Sequence, residues 1–209
     1  MNSACPFGPR LQVYWDRRYD FFHRFDEGIQ LDAEGLHTVM PEQAALAQAK
    51  LFHEVDCVLD GFCGVGGAAI ALARLGKKVI AIELDAQRLT MARHNARIYG
   101  VDEAITFVHG DFFEVARQYS ADALLVDPPW GWPRYRPTDR FLLEHFEPHG
   151  KKVLDFALSR SNQVILRAPV HFDTTELESF AVNYQSYDNI LNDRVISKSI
   201  LLYQKSLKG

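Results

Sequence analysis

The sequence predicts an α/β protein built on a largely parallel sheet covered by helices on both faces. Two observations carry this. From residue 57 onward, short apolar runs alternate with helix-length segments, the pattern of βαβ units. The first of those runs also ends in Asp60-Gly-Phe-Cys-Gly-Val-Gly-Gly67, a glycine-rich turn leading straight into a helix.

The elements follow in order. A helix with proline in its first turn is expected over residues 41–52. Strands are expected at residues 57–59, 79–82, 105–108, 123–126 and 164–166, each a short run rich in Val, Ile, Leu or Phe. Helices are expected between them at 67–75, 86–99, 112–119 and 151–160. Asp85 stands where its carboxylate can accept from free amides in the first turn of the second of these. Residues 184–190 and 195–203 read as an antiparallel pair at a sheet edge. Residues 14–30, taken by themselves, read as an aromatic, mixed-charge helix presenting a packing face. No repeat or low-complexity linker interrupts the chain. The expected organisation is one structural unit, with residues 1–50 as an N-terminal extension and 51–209 as the main domain.

Composition narrows the class. A chain of 209 residues can bury a full core, and 47% hydrophobic with 24% charged residues is a soluble globular balance. No apolar run is long enough to span a bilayer, and the N-terminus lacks the pattern of a secretory signal. The three cysteines form no CxxC pair, which argues against a disulfide framework or a structural zinc site. A reducing cytosol is the expected compartment, with the nucleus open to a eukaryotic chain. The net charge of −4 opposes broad, nonspecific coating of nucleic acid but allows a local basic mouth. Arg10, Arg17, Arg18 and Arg24, or Arg134, Arg136 and Arg140, are candidates for one. Solvated surface charge accounts for either cluster equally well.

The chemistry is expected at the carboxyl ends of the strands, where open α/β sheets bind ligands. Gly64 and Gly66 allow a tight turn and close approach of a ligand to the backbone beside Phe62. The spacing is only a weak dinucleotide fingerprint, and no Gly-Lys-Ser/Thr follows to make a phosphate loop. Acids then recur at three successive strand ends. Asp60 closes the first, and Glu83 closes the second, suited to accept both hydroxyls of a ribose. Asp111 follows the third, beside Phe112, where the pair can take an adenine amino group and pack its ring. Each acid alone would serve as a cap. Together they suit the sulfonium and amino group of S-adenosylmethionine better than an anionic pyrophosphate, which favours a methyltransferase over a dehydrogenase.

The fourth strand ends in Asp127-Pro-Pro-Trp130. An exocyclic amine on a purine is a poor nucleophile, because its lone pair is delocalised into the ring. Two acceptors that hold its N–H groups, the Asp127 carboxylate and the Pro128 carbonyl, can aim that lone pair at a methyl carbon. The prolines stiffen the loop and offer no competing donor. Trp130 offers a stacking face for the base, to which a cationic methylated base is further attracted.

At this point the chain resembles a known family. Asp-Pro-Pro-aromatic is similar to the signature of nucleic-acid amino methyltransferases. A longer pattern resembles the trimethylguanosine synthase (RNA cap guanine-N2 methyltransferase) family. That pattern includes Tyr14-Trp15, Arg18-Tyr19, Phe22, Arg24-Phe25-Asp26, Leu31-Asp32, Pro41-Glu42, the loop after Asp60, Asn95-Ala96, Gly110-Asp-Phe112 and Pro128-Pro-Trp-Gly131. The resemblance implies a Rossmann-like, seven-stranded class I methyltransferase sheet with S-adenosylmethionine as cofactor. It also implies that the extension closes over the active site, bringing Phe22 to the cofactor. It assigns Asp60, Glu83 and Asp111 to the donor, Trp130 to the stacked guanine, and Asn95 and Tyr135 to the neighbourhood of the substrate.

Three positions depart from the family pattern. Asp127 stands where the family has serine, Val13 where it has a phosphate-gripping lysine, and Pro169-Val-His171 where it has Pro-Arg-Asn. The expected partner is therefore RNA or a guanine nucleotide, with a cap, an internal guanine and a free nucleotide all open. Adenine-N6 methylation is the enzymatic alternative. A silent scaffold that binds cofactor or RNA is the non-enzymatic one.

Overall fold

The computed structural model describes residues 4–131 and 139–204. Its centre is a seven-stranded sheet: β1 (Cys57–Asp60), β2 (Lys78–Glu83), β3 (Ile105–His109), β4 (Ala123–Val126), β5 (Gln163–Ala168), β6 (Val182–Leu191) and β7 (Arg194–Gln204). The order across the sheet is β3-β2-β1-β4-β5-β7-β6. Strands β1 to β5 pair in parallel, whereas β7 runs antiparallel to both β5 and β6. The expected strands are all present, and the order reverses at β1 and β4, which places a crevice above their carboxyl ends.

Helices α5 (Gly67–Arg74), α6 (Ala86–Tyr99), α7 (Phe112–Val115) and α8 (Gly150–Arg160) connect the strands. Asp85 caps α6 as expected, accepting from the amides of Gln87 at 2.8 Å and Arg88 at 3.1 Å. The helix expected over 112–119 keeps only its first turn as α-helix, and a 3-10 turn takes Ala116–Gln118.

Residues from β1, β2, β4 and β5 split between two cores by strand alternation. Val58, Ala81, Leu125 and Ile165 face one, and Leu59, Ile82, Val126 and Leu166 face the other. The first core is shared with the N-terminal extension, which contributes Phe21, Phe22, Ile29 and the fully buried Leu36. Burying a Leu or Phe side chain stabilises by about 1.5–3 kcal/mol. The extension is therefore packed as part of the fold.

Within that extension lie α1 (Gln12–Trp15), α2 (Arg18–Phe21), α3 (Ala33–Thr38) and α4 (Glu42–Ala49). The single helix read from residues 14–30 is not formed. Phe22 is extended at φ −143°, and a 3-10 turn follows at Phe25–Glu27. Packing overrides local propensity here. The break lets Phe25 meet Trp15 edge-on at 5.4 Å while the Arg18 guanidinium covers the Trp15 ring at 5.0 Å. Among the described residues no helix is long and apolar enough to cross a membrane.

Candidate active site

A cavity of about 1100 Å³ opens above the carboxyl ends of the central strands. One wall is the sheet end, with Asp60, Glu83, Asp111, Asp127 and Trp130. The extension builds another wall with Tyr14, Arg17, His37, Thr38 and Met40. Two bonded clusters hold those walls together. Arg88 of α6 pairs with Asp32 at 3.0 Å and Glu34 at 2.5 Å, both in the extension. The buried amide of Asn95 donates to the carbonyls of Gln30 and Val65 and accepts from the Gln30 amide.

The turn after β1 is fixed by backbone bonds. The Cys63 amide donates to the Ile82 carbonyl at 2.9 Å, and the Gly64 amide donates to the Glu83 carboxylate at 2.8 Å. At Gly66, φ is +94°, and a Cβ would lie 3.1–3.3 Å from Ala92, so glycine is required where the turn enters α5. Gly61 is needed for a different reason, because a Cβ there would strike the Phe112 ring at 2.7 Å. Phe112 and Phe62 sit 5.1 Å apart at this edge of the cavity.

Asp60 is 1% exposed. One of its oxygens accepts from the Phe62 amide at 3.4 Å, and the other, Oδ2, has no hydrogen-bond partner among the described residues. Burial, reinforced by the nearby charges of Asp127 and Glu83 and opposed by the Phe62 amide, pushes its pKa up to about 8. An orphaned, buried carboxylate oxygen costs stability unless something cationic or hydrogen-bonding meets it. The Asp60 site therefore fits a ligand carrying an ammonium or sulfonium. Glu83 uses one oxygen on Gly64 and the other on the Asp85 amide at 2.9 Å, and each oxygen retains a lone pair for a hydroxyl. Asp111 caps α7 through Oδ1 and borders the cavity.

At the end of β4, Asp127 Oδ2 accepts from Arg167 Nη1 at 2.8 Å, and the same guanidinium lies 4.9 Å over the Trp130 ring. Arg167 also donates to the Thr38 carbonyl at 2.8 Å, joining β5 to the extension. Burial raises the Asp127 pKa, and the charge and hydrogen bond of Arg167 oppose that rise. His37 borders the same space. Burial first, and the Arg167 charge second, hold its pKa below the usual value, so it is neutral near neutral pH.

Most of the expected site residues meet at this cavity: Asp60, Phe62, Gly64, Glu83, Asp111, Phe112, Asp127, Pro128 and Trp130. Three do not border it. Phe22 is 1% exposed and packs toward Tyr99, 6.2 Å between ring centroids. Asn95 is fully buried as the strut described above, and Gly66 is pressed against Ala92. Tyr135, with Arg134 and Arg136, lies outside the described residues. Sequence reasoning missed Arg167 and His37. The available signal for Arg167 was a lone cation inside the apolar run Val164-Ile-Leu-Arg167-Ala, where an unpaired charge is not tolerated.

A 3-2-1-4-5-7-6 sheet with β7 antiparallel, with acids at the ends of β1 and β2 and after β3, defines a class I S-adenosylmethionine-dependent methyltransferase. The sequence profile of the RNA cap guanine-N2 methyltransferases matches residues 55–202, and the chain belongs to that family. It is 36% identical over 187 residues to a trimethylguanosine synthase of Schizosaccharomyces pombe, covering 84% of this chain and 78% of that one. A second, from Saccharomyces cerevisiae, is 29% identical over 180 residues, covering 80% of this chain and 57% of that one. Among solved structures, a 16S rRNA N2-guanine methyltransferase of Thermus thermophilus in complex with S-adenosylmethionine and guanosine superposes with a TM-score of 0.58. The identity there is 14%, over 85% of this chain and 44% of that one. That likeness is one of fold.

Proposed function

We propose that the protein methylates the N2 amine of guanine in RNA or in a guanine nucleotide, with Asp127, Pro128 and Trp130 handling the acceptor. The observation that carries this reading is the placement of Asp127 and Trp130. Both are held by one guanidinium in the same cavity as the orphaned Asp60 oxygen.

S-adenosylmethionine, when bound, supplies an electrophilic methyl group and leaves as a neutral thioether. Asp60, Glu83 and Asp111 would hold it, with Asp60 Oδ2 meeting its positive charge. Phe62 and Phe112 offer an apolar edge for its adenine ring. Arg167 occupies Asp127 Oδ2, which leaves Oδ1 to accept an N–H of the acceptor amine. A carboxylate whose pKa burial has raised is a better proton acceptor than an ordinary one, so Oδ1 can take the N2 proton as the new bond forms. Trp130 sets the plane of the base. Positioning then supplies most of the rate. The extension lines one side of the cavity with Tyr14, Arg17 and His37.

The test is transfer of labelled methyl groups to total RNA, DNA and free guanine nucleotides, followed by nucleoside identification. N2-methylguanosine is the expected product. N6-methyladenosine would replace this reading with adenine methylation, and donor binding without transfer to any pool would favour a scaffold.

A further inference from the structure

We propose that Asn189, on the outer edge strand of the sheet, is a positioning residue for methyl transfer: through Ser197 it holds the Arg167 guanidinium, and through Arg167 the carboxylate of Asp127. That role rests on the reading of Asp127 as the group that meets the acceptor amine.

The strand itself gives little reason to bury a polar side chain here. β6 ends its side of the sheet, and Asn189 is its one buried residue, between the exposed Asp188 and Ile190. It is 5% exposed, and a buried amide costs stability unless it is hydrogen-bonded. Both ends of this amide are bonded. Oδ1 accepts from the Ser199 hydroxyl and Nδ2 donates to the Ser197 hydroxyl, each at 2.9 Å. Register brings the groups together. Asn189 pairs with Ser197 across β6 and β7, and the pairing then jumps to Ile190 and Val195. Ile196 is the extra residue of that bulge, and it lines the cavity. The irregularity adjoins both the cavity wall and the buried amide.

The bonds continue in a line across the face of the sheet that the extension covers. Gln48 of α4, 2% exposed, donates to the Ser199 hydroxyl at 2.8 Å. At the other end Arg167 Nε donates to the Ser197 hydroxyl at 3.4 Å. That contact is long, so it acts on geometry more than on strength. Arg167 Nη1 already holds Asp127 Oδ2 and the Thr38 carbonyl, both at 2.8 Å. A guanidinium fixed only at that nitrogen can pivot about it, and because the group is planar a second point at Nε sets its plane. The Asp127 side chain is 28% exposed, so one edge of it stays open, and the plane of Arg167 decides where Oδ1 points. Oδ1 must meet an N–H of the acceptor while the lone pair faces the methyl carbon, and small misplacements of that kind are costly in rate. A bonded polar network fixes one arrangement of its members, which a packed apolar core does less strictly.

The test uses the full chain and its variants Asn189→Ala, Ser197→Ala and Ser197→Thr, with total RNA, guanosine 5′-triphosphate and 7-methylguanosine 5′-triphosphate as acceptors. Both alanine variants should lower kcat for N2 methylation by about tenfold, with donor and acceptor KM changed by less than about threefold. Ser197→Thr, which keeps the hydroxyl, should restore kcat. In an Asp127→Asn background, Ser197→Ala should lower kcat by less than about twofold, because the carboxylate through which it acts is gone. An unchanged kcat in the alanine variants, or an equal loss in both backgrounds, overturns the proposal. A second readout needs no turnover: the Arg167 Nε–H signal in heteronuclear NMR, identified by its loss in Arg167→Lys. Its exchange with water should be about tenfold faster in both alanine variants than in the wild-type chain, and unchanged exchange overturns the hold on Arg167. Should Asn189→Ala fail to fold, Ser197→Ala, which removes only the hydroxyl oxygen, carries both readouts. If the wild-type chain methylates none of these acceptors, the guanine-N2 reading falls, and exchange at Arg167 alone decides whether Asn189 holds the pair.

Discussion

The side-chain amide of Asn95 donates to the backbone carbonyl of Val65 across 3.0 Å. The two residues are far apart in sequence, and the bond carries the rigidity of α6 into the turn after β1. Because the same side chain also exchanges two hydrogen bonds with Gln30, it fastens extension, turn and helix at one buried point. Asn95→Leu keeps the approximate volume but strands the Gln30 amide and the Val65 carbonyl. The expected cost is about 2–3 kcal/mol in urea denaturation. Donor affinity should fall with it through the loosened turn, while the acceptor KM stays put. A residue in contact with substrate would show the reverse.

Asp60 makes opposite predictions for stability and for binding. Its folded pKa, about 8, lies above the ordinary 3.8, so the folded state favours the protonated form. The stability associated with this group is complete below about pH 4 and is lost as pH rises toward 8. A cationic donor demands the ionised form, so binding near neutral pH should expel a proton. Calorimetry in two buffers of different ionisation enthalpy would detect it as a buffer-dependent heat of binding. Asp60→Asn should leave the ligand-free melting temperature unchanged or higher above pH 7, and weaken donor binding by roughly tenfold or more. An unchanged affinity would remove Asp60 from the donor site.

The sheet and the strand-end acids were legible in the sequence because both are local signals. Apolar runs such as Ala123–Val126 mark buried parallel strands, and an acid next to a strand end stays at that end in any βαβ fold. The path of the extension was not legible. Its turns at Phe22 and Phe25 are set by contacts with one another and with residues as distant as Tyr99, which no window of the sequence contains. Asn95 was assigned near the substrate from a motif, yet its position is explained by three backbone partners contributed by other segments. Arg167 shows the same limit from the other side. Its role depends on Asp127 and Arg167 each following the last paired residues of β4 and β5, Val126 and Leu166, a matter of register rather than of spacing along the chain.

Trp130 separates acceptor handling from donor handling. It is held against Arg167 and borders the cavity, whereas the donor acids sit at the ends of β1 and β2 and after β3. Trp130→Ala should reduce kcat/KM for the acceptor by roughly a hundredfold, since base stacking is worth about 1–3 kcal/mol and correct orientation adds to it. Donor affinity, measured by calorimetry, should change by less than about threefold. Equal losses in both, together with a lowered melting temperature, would identify Trp130 as a packing residue instead.

Glu42 should govern acid stability. It is 8% exposed at the start of α4, and burial alone would raise its pKa. That tendency is overcome by hydrogen bonds from the His23 amide at 2.9 Å, the Tyr99 hydroxyl at 2.7 Å, the His23 ring at 2.7 Å and Arg74 at 2.5 Å. The net result is a pKa of about 2, below the ordinary 4.5. A carboxylate depressed in the folded state stabilises fully above its unfolded pKa, and that contribution drains away as pH falls from 4.5 toward 2. A shift of this size corresponds to about 3 kcal/mol. Glu42→Gln should therefore lower stability by about 2–3 kcal/mol at neutral pH and flatten the acid limb of the stability profile between those values. Because Glu42 joins the extension to α5 and α6 through Arg74 and Tyr99, amide exchange in the extension should accelerate in the same variant. A steep acid limb surviving in Glu42→Gln would shift the acid sensitivity to other carboxylates, of which Asp122, with its pKa lowered by the Cys57 and Asp56 amides, is the next to examine.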